Sequence, residues 1–508
     1  MAHPAEGAPA RRRVLISVLN PTQSHSPEAE ERRALVWSGL LLAIAVTLRL
    51  YRLGQDSLWV DEYYSLITAR FSLSQIPAEA LRGETFEPPL YFWLLHLMMR
   101  WFGDSETALR MLSVVAGALT VPLVVLLVRT LGESTRVAIL SAALLALNPL
   151  HLWFSQEARP YALLLCLGVG SLVCLLRALR NGSVLAWAGF AGLASLAILT
   201  HVVAAVFPFI GWLWALGRRH DASTLRRLVA ASAVIALATA PFGYMLAQAV
   251  LHAQGTGAPP RSLTGLEIPY TIFTYLAGYS FGPSVRDIQD KGSLAAVLAQ
   301  PVQSAVGAIA LLALAAMVLR LRSRAAKELG LLCLLPMMAT WLGSAVTGKP
   351  YNVRYTLPGL IGFVGLVAIG ISGLPKPRRW VATTLVAGLF LWADAQRFFS
   401  PRYWKEDSRS AVAWLRGKLP PGSTVAVAPG YQKGVLTYYA RRGGADFVFD
   451  SLPETASSLG STLPEALLVT RLHHLPHWRE LVRSLDPVAG NPPPPIELIG
   501  YQAFLAPR

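Results

Sequence analysis

The feature that most constrains this chain is a series of apolar runs. Each is close to the ~20 residues an α-helix needs to cross the hydrocarbon core of a bilayer. They fall at roughly 34–50, 108–131, 137–154, 161–179, 184–199, 202–216, 228–250, 302–319, 329–346, 355–374 and 380–398. In lipid every backbone polar group has to be satisfied inside its own segment, so such runs become helices. The expected fold is therefore an all-α polytopic membrane protein with about eleven spans. Composition agrees: 54% of residues are hydrophobic, only 15% are charged, and the mean hydropathy is +0.45.

The net charge of +16 does not make this a nucleic-acid binder, because the basic residues sit in short clusters between apolar runs. Those clusters report topology. Arg136, Arg177 and Arg180, Arg218, Arg219, Arg226 and Arg227, Arg320 to Lys327, and Lys376 to Arg379 all fall on one side if 90–102 does not cross. That stretch is short, opens with Pro88-Pro89 and is rich in aromatics, which suits an interfacial helix. The expectation is a cytoplasmic N-terminus and an extracytoplasmic C-terminus. Residues 1–33 read as a cytoplasmic tail, since Arg11, Arg12 and Arg13 precede only a short apolar stretch and then a polar one. Cys166, Cys174 and Cys333 all lie in apolar runs and read as packing thiols.

This topology places the unusual residues on the outer face. The first outer loop carries Trp59-Val60-Asp61-Glu62-Tyr63-Tyr64-Ser65, an acidic pair among aromatics just beyond a span. By composition it is equally a solvated pair under an aromatic belt or a carboxylate held to take a proton from an acceptor. Glu87 follows in Phe86-Glu87-Pro88-Pro89-Leu90-Tyr91. The turn Ser155-Gln156-Glu157-Ala158-Arg159-Pro160-Tyr161 sets Glu157 and Arg159 two apart, a pattern that a local ion pair also explains. Lys349-Pro350-Tyr351-Asn352-Val353-Arg354-Tyr355 places two cations outside, against the positive-inside trend. A lipid phosphate would account for them, as would ordinary snorkelling anchors.

Together with Thr200-His201 and Gly278-Tyr279-Ser280-Phe281-Gly282-Pro283-Ser284, these motifs resemble the C-type glycosyltransferase superfamily. Within it, the bacterial branch related to protein O-mannosyltransferases and lipid A aminoarabinose transferases is the most similar. The resemblance implies a polyprenyl-phosphate sugar donor and inverting transfer to an extracytoplasmic acceptor, which can be a protein, a lipid or a polysaccharide. It implies Asp61 as general base, with Glu62 orienting base or acceptor. Donor phosphate would be met by Arg159, Lys349, Arg354 and Tyr351. Glu87, Glu157, Tyr161, His201 and Tyr279 are further candidates, although a lone interfacial histidine is commonly structural. The aminoarabinose transferases carry a lysine where this chain has Glu87, so that donor contact does not transfer. A divalent metal is left open by the resemblance, with Asp61, Glu62, Glu87 and Glu157 as its candidate ligands.

After residue 398 the composition becomes that of a small α/β domain, 399–508, which faces outward in this topology. A helix is expected over 407–419 with Val412, Trp414 and Leu415 inward. Strands are expected at 424–428, 446–450, 466–472 and 496–505, with a helix at 478–485. His473, His474 and His477 lack ligand partners at metal spacing. Two other function classes share this outline. A secondary transporter would show internal repeats and ionisable groups at the bilayer midplane, whereas these spans read as nearly charge-free. A non-catalytic envelope-assembly protein would keep the fold without needing Asp61.

Overall fold

The computed structural model describes residues 27–82, 87–218, 220–252, 263, 265–284, 287, 293–451, 465–470 and 496–505. The N-terminal tail up to residue 26, Phe86, Arg219, the helix expected at 478–485 and the three histidines at 473, 474 and 477 lie outside the described residues.

Every expected run holds a helix. In order they are Pro27–Leu50, Glu106–Thr130, Thr135–Leu147 with Pro149–Ser155, Tyr161–Asn181, Val184–Thr200 and Val206–Gly217. Ala222–His252, Pro301–Val318, Arg324–Thr347, Pro358–Ser372 and Lys376–Phe399 follow. Among the described residues six helices are long and apolar enough to cross a bilayer, or seven if one bent pair counts as a single span. Length and composition thus establish fewer crossings than the expected eleven, because Val184–Thr200, Val202–Gly217 and Pro358–Ser372 are short and the 24-residue Lys376–Phe399 is not apolar enough. The bend, 59° between Thr135–Leu147 and Pro149–Ser155, has a local cause. Asn148 ends one helix and caps the next, its Oδ1 accepting from His151 N at 3.0 Å, and Pro149 fits the first turn where no donor is needed. Leu90–Phe102 is a 13-residue helix burying Tyr91, Phe92 and Leu95.

The helices are less free of charge than the sequence suggests. Arg49, Arg110, Asp394 and Arg397 are all buried. Each sits within about two turns of a helix end. Arg49 reaches His151 Nδ1 at 2.7 Å and Ala146 O at 3.3 Å on neighbouring helices, whereas both carboxylate oxygens of Asp394 lack a hydrogen-bond partner among the described residues.

The C-terminal part forms a five-stranded sheet of order β2-β1-β3-β5-β4, with β1 Thr424–Ala428, β2 Val448–Ser451, β3 Ala466–Val469, β4 Ile496–Leu498 and β5 Tyr501–Leu505. β1 runs parallel to β2 and β3, while β5 is antiparallel to β3 and β4. The strand expected over 496–505 is two strands of a hairpin, turned at Gly500 with φ +81°, a conformation glycine adopts without cost. The helix expected at 407–419 spans Ser408–Arg416 and buries Ala411, Val412 and Leu415, leaving Trp414 only partly covered. A second helix, Lys433–Arg442, was not anticipated.

This domain shares a core with the segments around the Val60–Arg70 and Leu90–Phe102 helices. Leu58, Leu66, Tyr91, Phe92 and Leu95 join Val412, Leu415, Val425, Val427, Val435 and Leu436 in one buried cluster. Gly434 permits the close approach: a Cβ there would lie 2.9 Å from Cζ of Tyr63. Tyr439 accepts at its hydroxyl from Leu58 N at 2.7 Å, and Ser57 Oγ donates to Glu406 O at 3.0 Å. The segment that begins the Val60–Arg70 helix is therefore clamped from the domain side.

Candidate active site

Asp61 and Glu62 occupy the first turn of the Val60–Arg70 helix, where negative charge is favoured by the helix dipole. Their environments differ completely. Glu62 is fully buried and accepts from Arg110 Nε at 2.8 Å and Nη2 at 2.7 Å, and from Ala158 N at 2.8 Å. Burial alone would raise its pKa, but the Arg110 charge and these hydrogen bonds hold it at about 2. Asp61 is about a quarter exposed (23%) and its Oδ2 accepts from Arg354 Nη1 at 2.7 Å. Nearly three hundred residues of sequence separate these two, so the fold alone brings them together.

Arg354 lies in the short 3-10 turn Val353–Thr356, capped by Asn352, whose Oδ1 accepts from Arg354 N at 3.1 Å. Its guanidinium is held charged: burial opposes the charge, but Tyr161, Asp61 and Tyr355 outweigh it. Arg159 comes from the turn before Tyr161–Asn181 and donates to Ser65 Oγ at 3.1 Å, to Asp61 O at 3.3 Å and to Glu87 Oε1. Burial and the nearby Asp61 push Glu87 up against the pull of Arg159 and Arg354. Arg159 Nε and Trp59 Nε1 are buried without a hydrogen-bond partner among the described residues.

An aromatic wall completes the cluster. Tyr161, His201 and Tyr355 stand in series with ring centroids 5.5 and 5.6 Å apart. His201 accepts at Nδ1 from Val203 N at 3.2 Å. Burial first, then Arg159 and Arg354, lower its pKa to about 3, so it is a neutral side chain at any ordinary pH. Tyr279 packs edge-on against Trp153 and Phe154, and burial raises its phenol well above the usual range. Glu157 pairs with Lys405 at 2.5 Å, and the Lys405 ammonium also lies 4.9 Å from the ring centroids of Trp59 and Trp153.

The structure thus gathers Asp61, Glu62, Glu87, Glu157, Arg159, Tyr161, His201, Tyr279 and Arg354. Lys349 is exposed beyond the Arg324–Thr347 helix, and Tyr351 bonds Thr271 Oγ1 at 2.8 Å rather than a charged group of the cluster. Sequence reasoning missed Arg110 and Lys405. An arginine within an otherwise apolar run and a lysine just after the last span were the available signals. As built, the donor set does not fit a divalent cation, since every one of the four carboxylates is already held by a guanidinium or ammonium. Among the described residues no three His, Cys, Asp or Glu side chains gather.

The family model of dolichyl-phosphate-mannose-protein mannosyltransferases matches residues 86–244. ArnT from Cupriavidus metallidurans in the apo state superposes with a TM-score of 0.54 at 14% identity, covering 93% of this chain and 98% of that one. The same protein bound to undecaprenyl phosphate gives 0.52 at 14% identity, with 92% and 97% covered. The fold is that of the C-type glycosyltransferases. No curated protein matches the chain in sequence. The C-type fold was legible in the motifs, and it includes the small sheet domain, because the superposition with ArnT runs almost end to end on both chains.

Proposed function

We propose that this protein is an inverting glycosyltransferase of the extracytoplasmic membrane face that takes its sugar from a polyprenyl-phosphate donor. The observation that carries the reading is the Asp61–Arg354 contact. It sets a partly accessible carboxylate beside a partly accessible guanidinium, each about a quarter exposed (23% and 24%). Catalysis of this transfer needs two things: a base within hydrogen-bond reach of the attacking hydroxyl, and fixed positive charge at the leaving phosphate.

In the proposed step the acceptor oxygen forms a bond to the anomeric carbon while the bond from that carbon to the phosphate oxygen breaks. The acceptor proton goes to Asp61, and the lipid phosphate leaves with its charge met by Arg354. A single displacement inverts the anomeric centre. Arg354 spends one donor on Asp61 and keeps the rest of its fork for phosphate. The buried Nε of Arg159 and Nε1 of Trp59 are donors that await an acceptor on the same cluster. Glu62 serves as a positioning residue, fixing the start of the helix that presents Asp61. His201 acts as a neutral wall and hydrogen-bonding group.

The orientation follows the same reading. Asp61, Arg159, His201, Tyr279 and Arg354 converge at one end of the helical bundle, and the sheet domain packs on that end. With the arginine clusters at the opposite loops, this end is the extracytoplasmic one, and about eleven spans are needed to thread it. The intrahelical charges also sit toward this end rather than at the midplane, which disfavours a transporter.

The test is sugar transfer in membranes, with labelled polyprenyl-phosphate sugars and envelope extract, comparing wild type with Asp61→Asn. Transfer that falls by ~10²–10⁴ in a correctly inserted variant supports the reading. Equal transfer in both removes Asp61 as the base.

A further inference from the structure

A cavity of about 170 Å³ is lined by the residues that directly follow Tyr279 and by none of the catalytic cluster. Tyr279 faces Trp153 and Phe154, whereas its neighbours Ser280, Phe281 and Gly282 line this cavity. The opposite wall is one face of the last span's outer end, where Trp392, Gln396 and Ser400 follow at intervals of four. The frame is pinned rather than collapsed. Ser280 Oγ donates to Ala393 O at 2.8 Å, Tyr403 donates to Gly282 O at 2.7 Å, and Gly282 takes a φ of +80° that makes the turn.

The chemistry of the lining is specific. Its one cation, Arg402, is matched by Asp287, which accepts from Nε at 3.1 Å and from Nη2 at 2.7 Å. Gln300 is spent within the frame, its amide nitrogen donating to Gly282 O at 2.9 Å and its amide oxygen accepting from Arg402. What remains is amide, hydroxyl and aromatic: Gln303 and Gln396, Ser400, and the Trp392 and Tyr403 rings. A phosphate would want unmatched positive charge, and a lipid chain would want an apolar lining. Amides that both donate and accept, set beside flat apolar rings, suit a neutral polyhydroxylated ring.

We infer that this cavity is a binding subsite for a neutral sugar ring of the acceptor. The inference rests on the proposed glycosyl transfer: the donor's own sugar has to lie between Asp61 and the phosphate-binding cations, on the far side of Tyr279. A ring in this cavity is therefore a further ring, and the acceptor is a glycan or glycolipid.

The experiment uses the full chain in detergent micelles, a panel of neutral methyl glycosides and inorganic phosphate as probes, and saturation-transfer NMR as readout. At least one glycoside is expected to bind wild type and Asp61→Asn equally. Gln396→Leu and Gln303→Leu are each expected to weaken it by about tenfold, the loss of roughly one hydrogen bond. Two substitutions on different helices guard against one that misfolds, and a fold check by thermal unfolding accompanies both. No glycoside binding to wild type, binding unchanged in both glutamine variants, or competition by phosphate each overturns the inference. The outcome is independent of the transfer assay: a binding glycoside with no sugar transfer sinks the proposed reaction but not the subsite, and transfer without glycoside binding does the reverse.

Discussion

The two adjacent carboxylates at the start of the Val60–Arg70 helix should respond in opposite ways to the same isosteric change. Glu62→Gln replaces an acceptor-only group by one that places an NH₂ against donors. The wild-type carboxylate takes two hydrogen bonds from Arg110 and one from Ala158 N, all at 2.7–2.8 Å, with no solvent contact. Removing one member of a buried ion pair costs about 3–5 kcal/mol because the other charge is left uncompensated. Here the guanidinium retains backbone acceptors at Leu53 O, Asp56 O and Ser57 O, at 2.8, 3.0 and 3.0 Å, so the lower end, ~3 kcal/mol, is expected. Asp61→Asn breaks a pair that water already reaches, and its stability cost is ~1 kcal/mol or less. Thermal unfolding of the two variants in the same detergent, read by intrinsic fluorescence, should show a clear drop for Glu62→Gln and little for Asp61→Asn. Sugar transfer should show the reverse for the surviving folded fraction. Pairing Glu62→Gln with Arg110→Met should recover part of the lost stability, since the unpaired charge is gone. Equal unfolding temperatures for both single variants would refute the division of labour.

Three further outcomes can be measured directly. Arg354→Lys keeps the charge but loses the fork, so donor KM should rise at least several-fold with acceptor KM unchanged in initial-rate assays. Acid should destabilise the fold through two groups. Glu62 has a folded pKa of about 2 against 4.5 unfolded, so its contribution is complete above pH 4.5 and is lost as pH falls toward 2. His201, at about 3 against 6.5, stays neutral in the fold while the unfolded chain gains a proton, so stability falls as pH drops below 6.5 by ~1.4 kcal/mol per unit. A His201→Gln variant should show a shallower loss between pH 6 and 4 in unfolding titrations. Finally, Gly362→Ala puts a Cβ 2.5 Å from Cys333 N, against backbone that cannot swing aside. Its monodisperse yield after extraction should collapse, whereas Gly388→Ala, with nothing within 4 Å, should extract normally.

Periodicity and length gave the helices away because a membrane demands long apolar segments, a constraint strong enough to read residue by residue. It says less about which helices are short, so Val184–Thr200 and Pro358–Ser372 looked like ordinary spans. The strands at Thr424–Ala428 and Ala466–Val469 were visible as apolar β-branched or aliphatic runs bounded by turns. The 496–505 hairpin was not, since its only mark was a single glycine between two strand-like stretches. Lys433–Arg442 escaped because its buried face, Val435, Leu436, Tyr438 and Tyr439, is interrupted by basic and polar residues whose spacing is short of two clean turns.

The candidate cluster was legible as a set of residues and illegible as a set of pairs, and the pairs decide what chemistry it can do. Asp61 and Glu62 stand in one motif and look equivalent, yet one meets Arg354 at the rim and the other meets Arg110 inside the protein. Glu157 and Arg159, two apart, suggested a local ion pair; instead Glu157 reaches Lys405 and Arg159 reaches Glu87. A turn of that length points successive odd residues in different directions, so each partner had to come from a separate element. Buried carboxylates that arrive with their own cations need nothing further, and Glu62, Glu87 and Glu157 are held that way. Asp61 alone of the four is paired at a position where solvent also enters. In the proposed transfer the donor phosphate takes the rest of the Arg354 fork, and the carboxylate on its remaining donor is the one positioned to accept the proton. Substituting Arg354 by Met should then impair donor binding without unfolding the site, because Asp61, unlike Glu62, keeps water in place of its lost partner.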